Sequence, residues 1–296
     1  MKLPNFLIVG AAKSGTTSLF HYLKQHSEVY MPSFKEPQYF VSSKVKHRVF
    51  KSVASFAEYK ELFSNAIHEV AVGEASVFYL YYYQVAIQNI KATLGEDVKI
   101  IIVLRNPVER AFSAYRHVSR NSLTETLSFK QALREESGRL ERNPNITPMV
   151  MYKDMSLYND AVRAYKSAFK QVHIVLHDDL KNNLSTTAKG VFQFLEINQQ
   201  AEVDLASKHN VGAWDWSNPR LKKILFGKGR WKSILKLVFP KRILQGIGHF
   251  IRKTGGQRVV QIAPEIRTEL QTYFRDDIVS LSKTIDRDLK NWIDVT

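Results

Sequence analysis

Two loops in this sequence carry residues suited to gripping phosphate. The first is Gly10-Ala11-Ala12-Lys13-Ser14-Gly15-Thr16-Thr17-Ser18. It follows the apolar run at 6–9, which has the pattern of a buried parallel strand, and it leads into residues 16–26, where Leu19, Phe20 and Leu23 mark one helical face. The glycines let the backbone curl closely where strand turns into helix. The amide hydrogens of the first helical turn then point at one spot, and with the helix dipole they favour an anion there. Lys13 adds a positive charge, and Thr16, Thr17 and Ser18 add hydroxyl donors. A Walker loop places its lysine after the last glycine; here Lys13 precedes Gly15 and Thr16 fills the lysine position. That departure argues against a P-loop kinase or NTPase. The plainer alternative is a tight strand–helix turn with a solvated lysine.

The second loop is Leu104-Arg105-Asn106-Pro107-Val108-Glu109-Arg110. It follows the most apolar strand candidate, residues 98–104. Arg105 stands at the carboxyl end of that strand, where open α/β sheets bind ligands. Pro107 suits the first position of a helix. Ser113 lies about two turns further on, so an arginine and a serine can converge on a second phosphate. The alternative makes Arg105 an ion-pair partner of Glu109.

The elements that must position these loops alternate in type. Further strands are expected at 70–73 and 172–176, and helices at 54–66, 79–94, 108–119, 128–139, 156–169, 186–195 and 264–285. Such alternation implies right-handed crossovers and a parallel sheet covered on both faces. The expected fold class is α/β, a P-loop-like three-layer fold with a central parallel sheet flanked by helices. The chain has 296 residues, 44% of them hydrophobic, enough for one large core, so residues 1–296 read as a single domain.

With no cysteine, disulfides and thiolate metal sites are excluded. No apolar run approaches the roughly 20 residues of a membrane span, and the first residues read as a strand rather than a signal peptide. A cytoplasmic enzyme is the expectation. The net charge of +15 points to an anionic partner without choosing one. The charge is uneven: no Asp or Glu occurs from Trp216 to Pro264, while twelve lysines and arginines lie between Arg220 and Arg258. This stretch reads as a basic amphipathic insertion at about 214–258. Within it, Ile243, Leu244, Ile247, Phe250 and Ile251 form one apolar face. Residues 231–251 pack on the core, or make peripheral contact with an anionic inner membrane face.

Taken together, the two loops resemble the 5′-phosphosulfate and 3′-phosphate elements of the sulfotransferases that use 3′-phosphoadenosine 5′-phosphosulfate (PAPS). The resemblance extends to Gly73-Glu74-Ala75-Ser76, to the stretch from Tyr158 onward and to Arg287-Asp288-Leu289-Lys290-Asn291-Trp292. It implies PAPS as co-substrate, adenosine 3′,5′-bisphosphate as product and no metal. Lys13, Ser14, Gly15, Thr16, Thr17 and Ser18 would line the 5′ end, with Lys13 steadying the leaving phosphate, and Arg105 and Ser113 would hold the 3′-phosphate. Arg258, in a basic glycine-containing stretch before the last helix, would close over the nucleotide. Lys35-Glu36-Pro37-Gln38-Tyr39-Phe40 resembles the glutamate-base loop of the heparan sulfate N- and 3-O-sulfotransferase branch, which makes Glu36 the candidate catalytic base. Its alternative is a surface carboxylate paired with Lys35. Glu74 is a second carboxylate expected to face the acceptor, although Ala75 stands where that branch carries a lysine. His21 and His117 are read as structural or surface residues.

The implied reaction is sulfuryl transfer to a hydroxyl or amine, with a glycan as first acceptor class and a lipid or small metabolite as alternatives. Two other classes remain on the residues alone: a P-loop nucleotide kinase, and a basic polyanion-binding protein. No nucleic-acid recognition motif accompanies the charge.

Overall fold

The computed structural model describes residues 2–49, 51–122, 124–205, 215–216, 257–258 and 261–294. The central sheet has five parallel strands: β1 (Phe6–Gly10), β2 (Val29–Tyr30), β3 (Ala71–Ala75), β4 (Lys99–Leu104) and β5 (Val172–Leu176). Their spatial order is β2-β3-β1-β4-β5. After β1 the chain runs to the edge strand β2, returns to β3 beside β1, and then crosses to β4 on the other side. The crevice beyond the carboxyl ends of β1 and β4 is therefore a topological switch point, the usual ligand position in such sheets.

Successive residues of a strand face opposite sides, and here both sides are apolar. Leu7, Val9, Ile100, Ile102 and Leu104 enter one buried cluster; Phe6, Ile8, Ile101 and Val103 enter the other. This double burial is why β1 and β4 read as unbroken hydrophobic runs.

The helices in the first half are α1 (Thr16–Gln25), α2 (Ser42–Val45), α3 (Phe56–Glu61), α4 (Phe78–Tyr81), α5 (Tyr83–Leu94) and α6 (Pro107–Asn121). Then come α7 (Phe129–Arg134), α8 (Arg139–Arg142), α9 (Asn159–Ala168), α10 (His177–Asn182), α11 (Leu184–Leu195), α12 (Pro264–Ile285) and α13 (Lys290–Ile293). Helices α1 and α11 cover one face of the sheet through Leu19, Leu23, Val191 and Phe192. Helices α5, α6, α9 and α12 cover the other through Ile90, Val108, Val162 and Phe274.

Some expected helices are cut. The helix expected at 79–94 breaks at Tyr82, whose φ of −97° and ψ of 41° are not helical. The segment expected at 54–66 keeps six helical residues, opened by a capping box between Ser55 and Glu58. Strand β2 has two residues, too few to show an alternation, and α10 was hidden in what reads as a loop after β5.

Outside the sheet, β6 (Asp215–Trp216) pairs antiparallel with β7 (Gln257–Arg258), which brings the two ends of the basic segment together. The remainder of the segment, including residues 231–251, lies outside the described residues. Among the described residues no helix is long and apolar enough to cross a membrane.

Candidate functional site

A cleft of about 580 Å³ opens beyond the carboxyl ends of β1, β4 and β5. It is lined by Lys13, Gly15, Thr16, Thr17, Ser18, Glu36, Arg105 and Ser113. Residues from three separate stretches of sequence therefore meet in one place.

The first loop is tied down by its own backbone. Ala11 N–H donates to Val103 O at 2.7 Å, and Ser14 N–H donates to Ala11 O at 3.2 Å. Gly15 stands before α1 with φ of 105°, a left-handed value that glycine adopts without steric cost. A Cβ there would meet His177 Nδ1 and the Leu180 side chain at 3.2 Å. No side chain caps α1 and no acid sits in its first turn. The first-turn N–H groups, which have no intrahelical acceptor, thus present the positive end of the helix dipole with no capping side chain among the described residues.

Lys13 enters the same cleft. Burial pulls its pKa down to about 8, helped by the nearby charges of Arg120 and Arg105 and opposed by Glu36. Its Nζ lies 3.4 Å from His117 Nδ1. Burial, then Lys13 and Arg120, hold His117 down at about 4, so this imidazole is neutral at physiological pH. Cations crowded and desolvated in this way are relieved by an anion, which is the environment a phosphate needs.

Arg105 is half-buried at the end of β4, and its Nη1 donates to Lys13 O at 3.3 Å. Glu109 lies 3.7 Å away, one turn along α6, so the expected ion pair exists. It does not absorb Glu109 alone, because Arg267 reaches the other oxygen at 2.7 Å. Burial lowers the Arg105 pKa. Asn106 opens α6 by accepting from Val108 N–H at 3.0 Å, with Pro107 in the first turn. Ser113, His117 and Asn121 then follow at four-residue intervals and all line the cleft. That spacing was available in the sequence, and it places His117, read there as structural or surface, on the cleft wall.

Glu36 reaches the cleft from the loop after β2. Its N–H donates to Ala75 O at 3.1 Å. Lys35 Nζ holds Glu36 Oε1 at 2.7 Å and Gln38 Nε2 approaches Oε2 at 3.4 Å. Glu36 is therefore both paired with Lys35 and part of the cleft wall. Arg48 and His177 also line the cleft; sequence reading did not single them out. Their neighbours are distant in sequence: Arg48 Nε donates to Ile146 O at 2.8 Å, and His177 Nδ1 lies 3.1 Å from Ser14 O.

Two expected residues, Ser14 and Glu74, are not brought to the cleft wall. Ser14 is fully buried and does not line the cleft, because the turn aims its side chain inward. Arg258 pairs through its backbone with Asp215, and its side chain lies outside the described residues. Glu74 does not face an acceptor. It is fully buried at the end of β3, where Tyr79 Oη donates to Oε1 at 2.7 Å, Ser76 Oγ to Oε2 at 2.8 Å and Tyr59 Oη to Oε1 at 3.4 Å.

Burial raises the Glu74 pKa to about 7, against the lowering effect of its three donors. A folded-state value above the unfolded one means the folded protein keeps a proton that the unfolded chain loses. Stability from this group is present below the ordinary value of 4.5 and is lost as pH rises through 7. The difference amounts to about 3 kcal/mol. Urea unfolding should show wild type losing about that much relative to Glu74→Gln between pH 5 and 8; parallel profiles would contradict it.

Residues 3–225 match the sulfotransferase domain family. Over 172 residues the chain is 33% identical to a membrane-associated sulfotransferase, kil1, of Dictyostelium discoideum, covering 57% of this chain and 32% of that protein. Over 251 residues it is 26% identical to human carbohydrate sulfotransferase 15, covering 68% and 45%. It is 23% identical to mouse bifunctional heparan sulfate N-deacetylase/N-sulfotransferase 4, covering 98% and 31%. The chain thus spans less than half the length of these curated relatives. A solved sulfotransferase from Alicyclobacillus acidocaldarius superposes with a TM-score of 0.74 at 29% identity, over 99% of each chain. With the family match covering most of its length and its fold shared with that solved structure, this chain belongs to the sulfotransferase domain family.

Proposed function

We propose that this chain, as one domain over 1–296, transfers a sulfuryl group from PAPS to a hydroxyl or amine on a glycan. The observation that carries the reading is the single cleft in which an uncapped helix start, Lys13, Arg105, Ser113 and Glu36 converge. Lys13, Gly15, Thr16, Thr17 and Ser18 suit the 5′ phosphosulfate end, and Arg105 with Ser113 suits the 3′-phosphate. PAPS supplies an activated sulfuryl group on a phosphate leaving group. Lys13 and the first-turn amides of α1 stabilise the charge that develops at the leaving oxygen. Glu36 accepts the proton that the acceptor O–H or N–H releases as it attacks. Lys35 and Gln38 orient that carboxylate. Positioning and electrostatics supply most of the rate, as in phosphoryl transfer.

The acceptor side is a second groove of about 530 Å³. It meets the nucleotide cleft at Val49 and is lined by Phe34, Lys46, Lys51 and Ser52, with Glu58 at its wall. A flat apolar ring with two lysines suits a carbohydrate bearing negative groups. The test is transfer of radiolabelled sulfate from PAPS to chondroitin, N-desulfated heparin, neutral dextran and a long-chain alcohol. Label should enter an anionic glycan, and the pair Lys46→Ala and Lys51→Ala should raise its KM by about tenfold while leaving PAPS affinity unchanged. Label in the alcohol alone would replace the glycan with a lipid acceptor.

A further inference from the structure

Glu74 is removed from the acceptor, yet it is the hub of the hydrogen bonds that hold the loop of Glu36. The loop adopts two left-handed residues that are not glycine, Glu36 with φ of 62° and Gln38 with φ of 55°. Such conformations persist only where the surroundings over-determine them. Two backbone groups of the loop are held from below. Gln38 N–H donates to Ser76 Oγ at 3.0 Å, and Phe40 N–H donates to Tyr79 Oη at 3.5 Å. The same two hydroxyls donate to Glu74, one to each carboxylate oxygen.

The direction of these bonds matters. An ionised carboxylate only accepts. It therefore forces the Ser76 and Tyr79 hydroxyl protons towards itself, which leaves their lone pairs for the loop N–H groups. Glu74, Ser76 and Tyr79 are each fully buried, and Gln38 is 1% exposed, so water cannot substitute in either tier. The groups facing Glu74 are Tyr59 from α3, Tyr79 from α4, Tyr165 from α9 and Glu36 from the loop itself. Among the described residues none of these is a cation, and the carboxylate accepts hydrogen bonds rather than completing an ion pair.

We propose that Glu74 is a positioning residue for the catalytic base: through Ser76 and Tyr79 it locks the residue 36–40 loop in the shape that aims Glu36 into the cleft. This rests on the reading of Glu36 as base. In Glu74→Gln the amide nitrogen donates, so the hydroxyl it meets must turn its own proton away. That proton then points at the loop N–H or into a core with nothing to accept it, and one tier of the lock fails.

The test is hydrogen exchange by mass spectrometry at pH 8, on full-length protein, with sulfate transfer from PAPS to N-desulfated heparin or chondroitin measured in parallel. In Glu74→Gln, exchange of the peptide over 36–40 should accelerate by about tenfold or more while peptides of β1 and β4 stay protected. The kcat should fall about 10- to 100-fold, with PAPS KM and adenosine 3′,5′-bisphosphate affinity unchanged. Ser76→Ala, which removes the Gln38 tie together with one Glu74 donor and leaves the Phe40 tie in place, should reproduce the loop exchange. Tyr59→Phe, which removes a Glu74 donor but keeps the ring that packs on Tyr39 and Phe40, should leave it unchanged. In wild type, kcat should fall as pH drops through about 7, because a protonated Glu74 donates as an amide does; Glu74→Gln should lack that limb. Unchanged loop exchange in folded Glu74→Gln overturns the proposal. Faster exchange with unchanged kcat instead overturns the assignment of Glu36 as base, and the positioning role with it.

Discussion

Adenosine 3′,5′-bisphosphate should bind the wild-type protein without added magnesium, and Lys13→Ala and Arg105→Ala should each weaken it by roughly 10- to 100-fold. That range corresponds to losing one charge-assisted contact worth about 1.5–3 kcal/mol. Arg105 Nη1 donates to Lys13 O at 3.3 Å and its charge helps to lower the Lys13 pKa, so the two effects should depart from additivity. The pH dependence separates them. Lys13 titrates near 8 in the free protein because burial and neighbouring cations disfavour its charge. A bound phosphate restores the charge, so binding at pH 8–9 takes up a proton and affinity falls as pH rises above 8. His117, neutral over this range, does not contribute. Calorimetry in buffers of different ionisation enthalpy reads the proton directly. Uptake should be present in wild type and Arg105→Ala and absent in Lys13→Ala. Failure of folded wild type to bind would remove the donor assignment and return the basic-surface reading.

Glu36→Gln should abolish most turnover while leaving nucleotide affinity intact. A positioned general base contributes about 10² to 10⁴ in rate, and glutamine fills the same volume without accepting the proton. Lys35→Ala is the comparison. It removes the 2.7 Å partner of Glu36, so the base loses orientation but keeps its function, and the loss should be smaller. Full turnover by Glu36→Gln would take the proton acceptor away from this residue. It would favour His117, the neutral imidazole 3.4 Å from Lys13 Nζ.

These expectations rest on a site that was only partly legible in the chain. The strand-loop-helix around Lys13 and the strand-loop-helix around Arg105 could be read directly. Both use local rules: an apolar run, a glycine with positive φ or an Asn-Pro helix start, and a helix whose first turn faces the ligand. Parallel pairing then follows from the alternation of strands and helices, and the position of β1 between β3 and β4 puts the two loops side by side. Residue type and order thus marked the Lys13 loop and the Arg105–Ser113 pair as anion sites, the resemblance alone pointed to Glu36, and the strand order brought them together.

Side-chain direction was not marked in this way. Ser14 sits inside the phosphate loop motif, but the turn buries its hydroxyl. Glu74 looks like a site carboxylate from its place at a strand end. It is inward because Tyr59, Ser76 and Tyr79 arrive from α3, from the end of β3 and from α4 to satisfy it. Arg48 and His177 reach the cleft through contacts with Ile146 and Ser14, separated from them by 98 and 163 residues. The sequence by itself determined which local turns can hold anions and which strands must be buried on both faces, since those depend on neighbours within a few residues. Only the tertiary structure decided which polar groups face the cleft and which are locked beneath it. That choice is made by hydrogen-bond partners and packing surfaces supplied from elsewhere in the chain, and a buried polar group goes where those partners are.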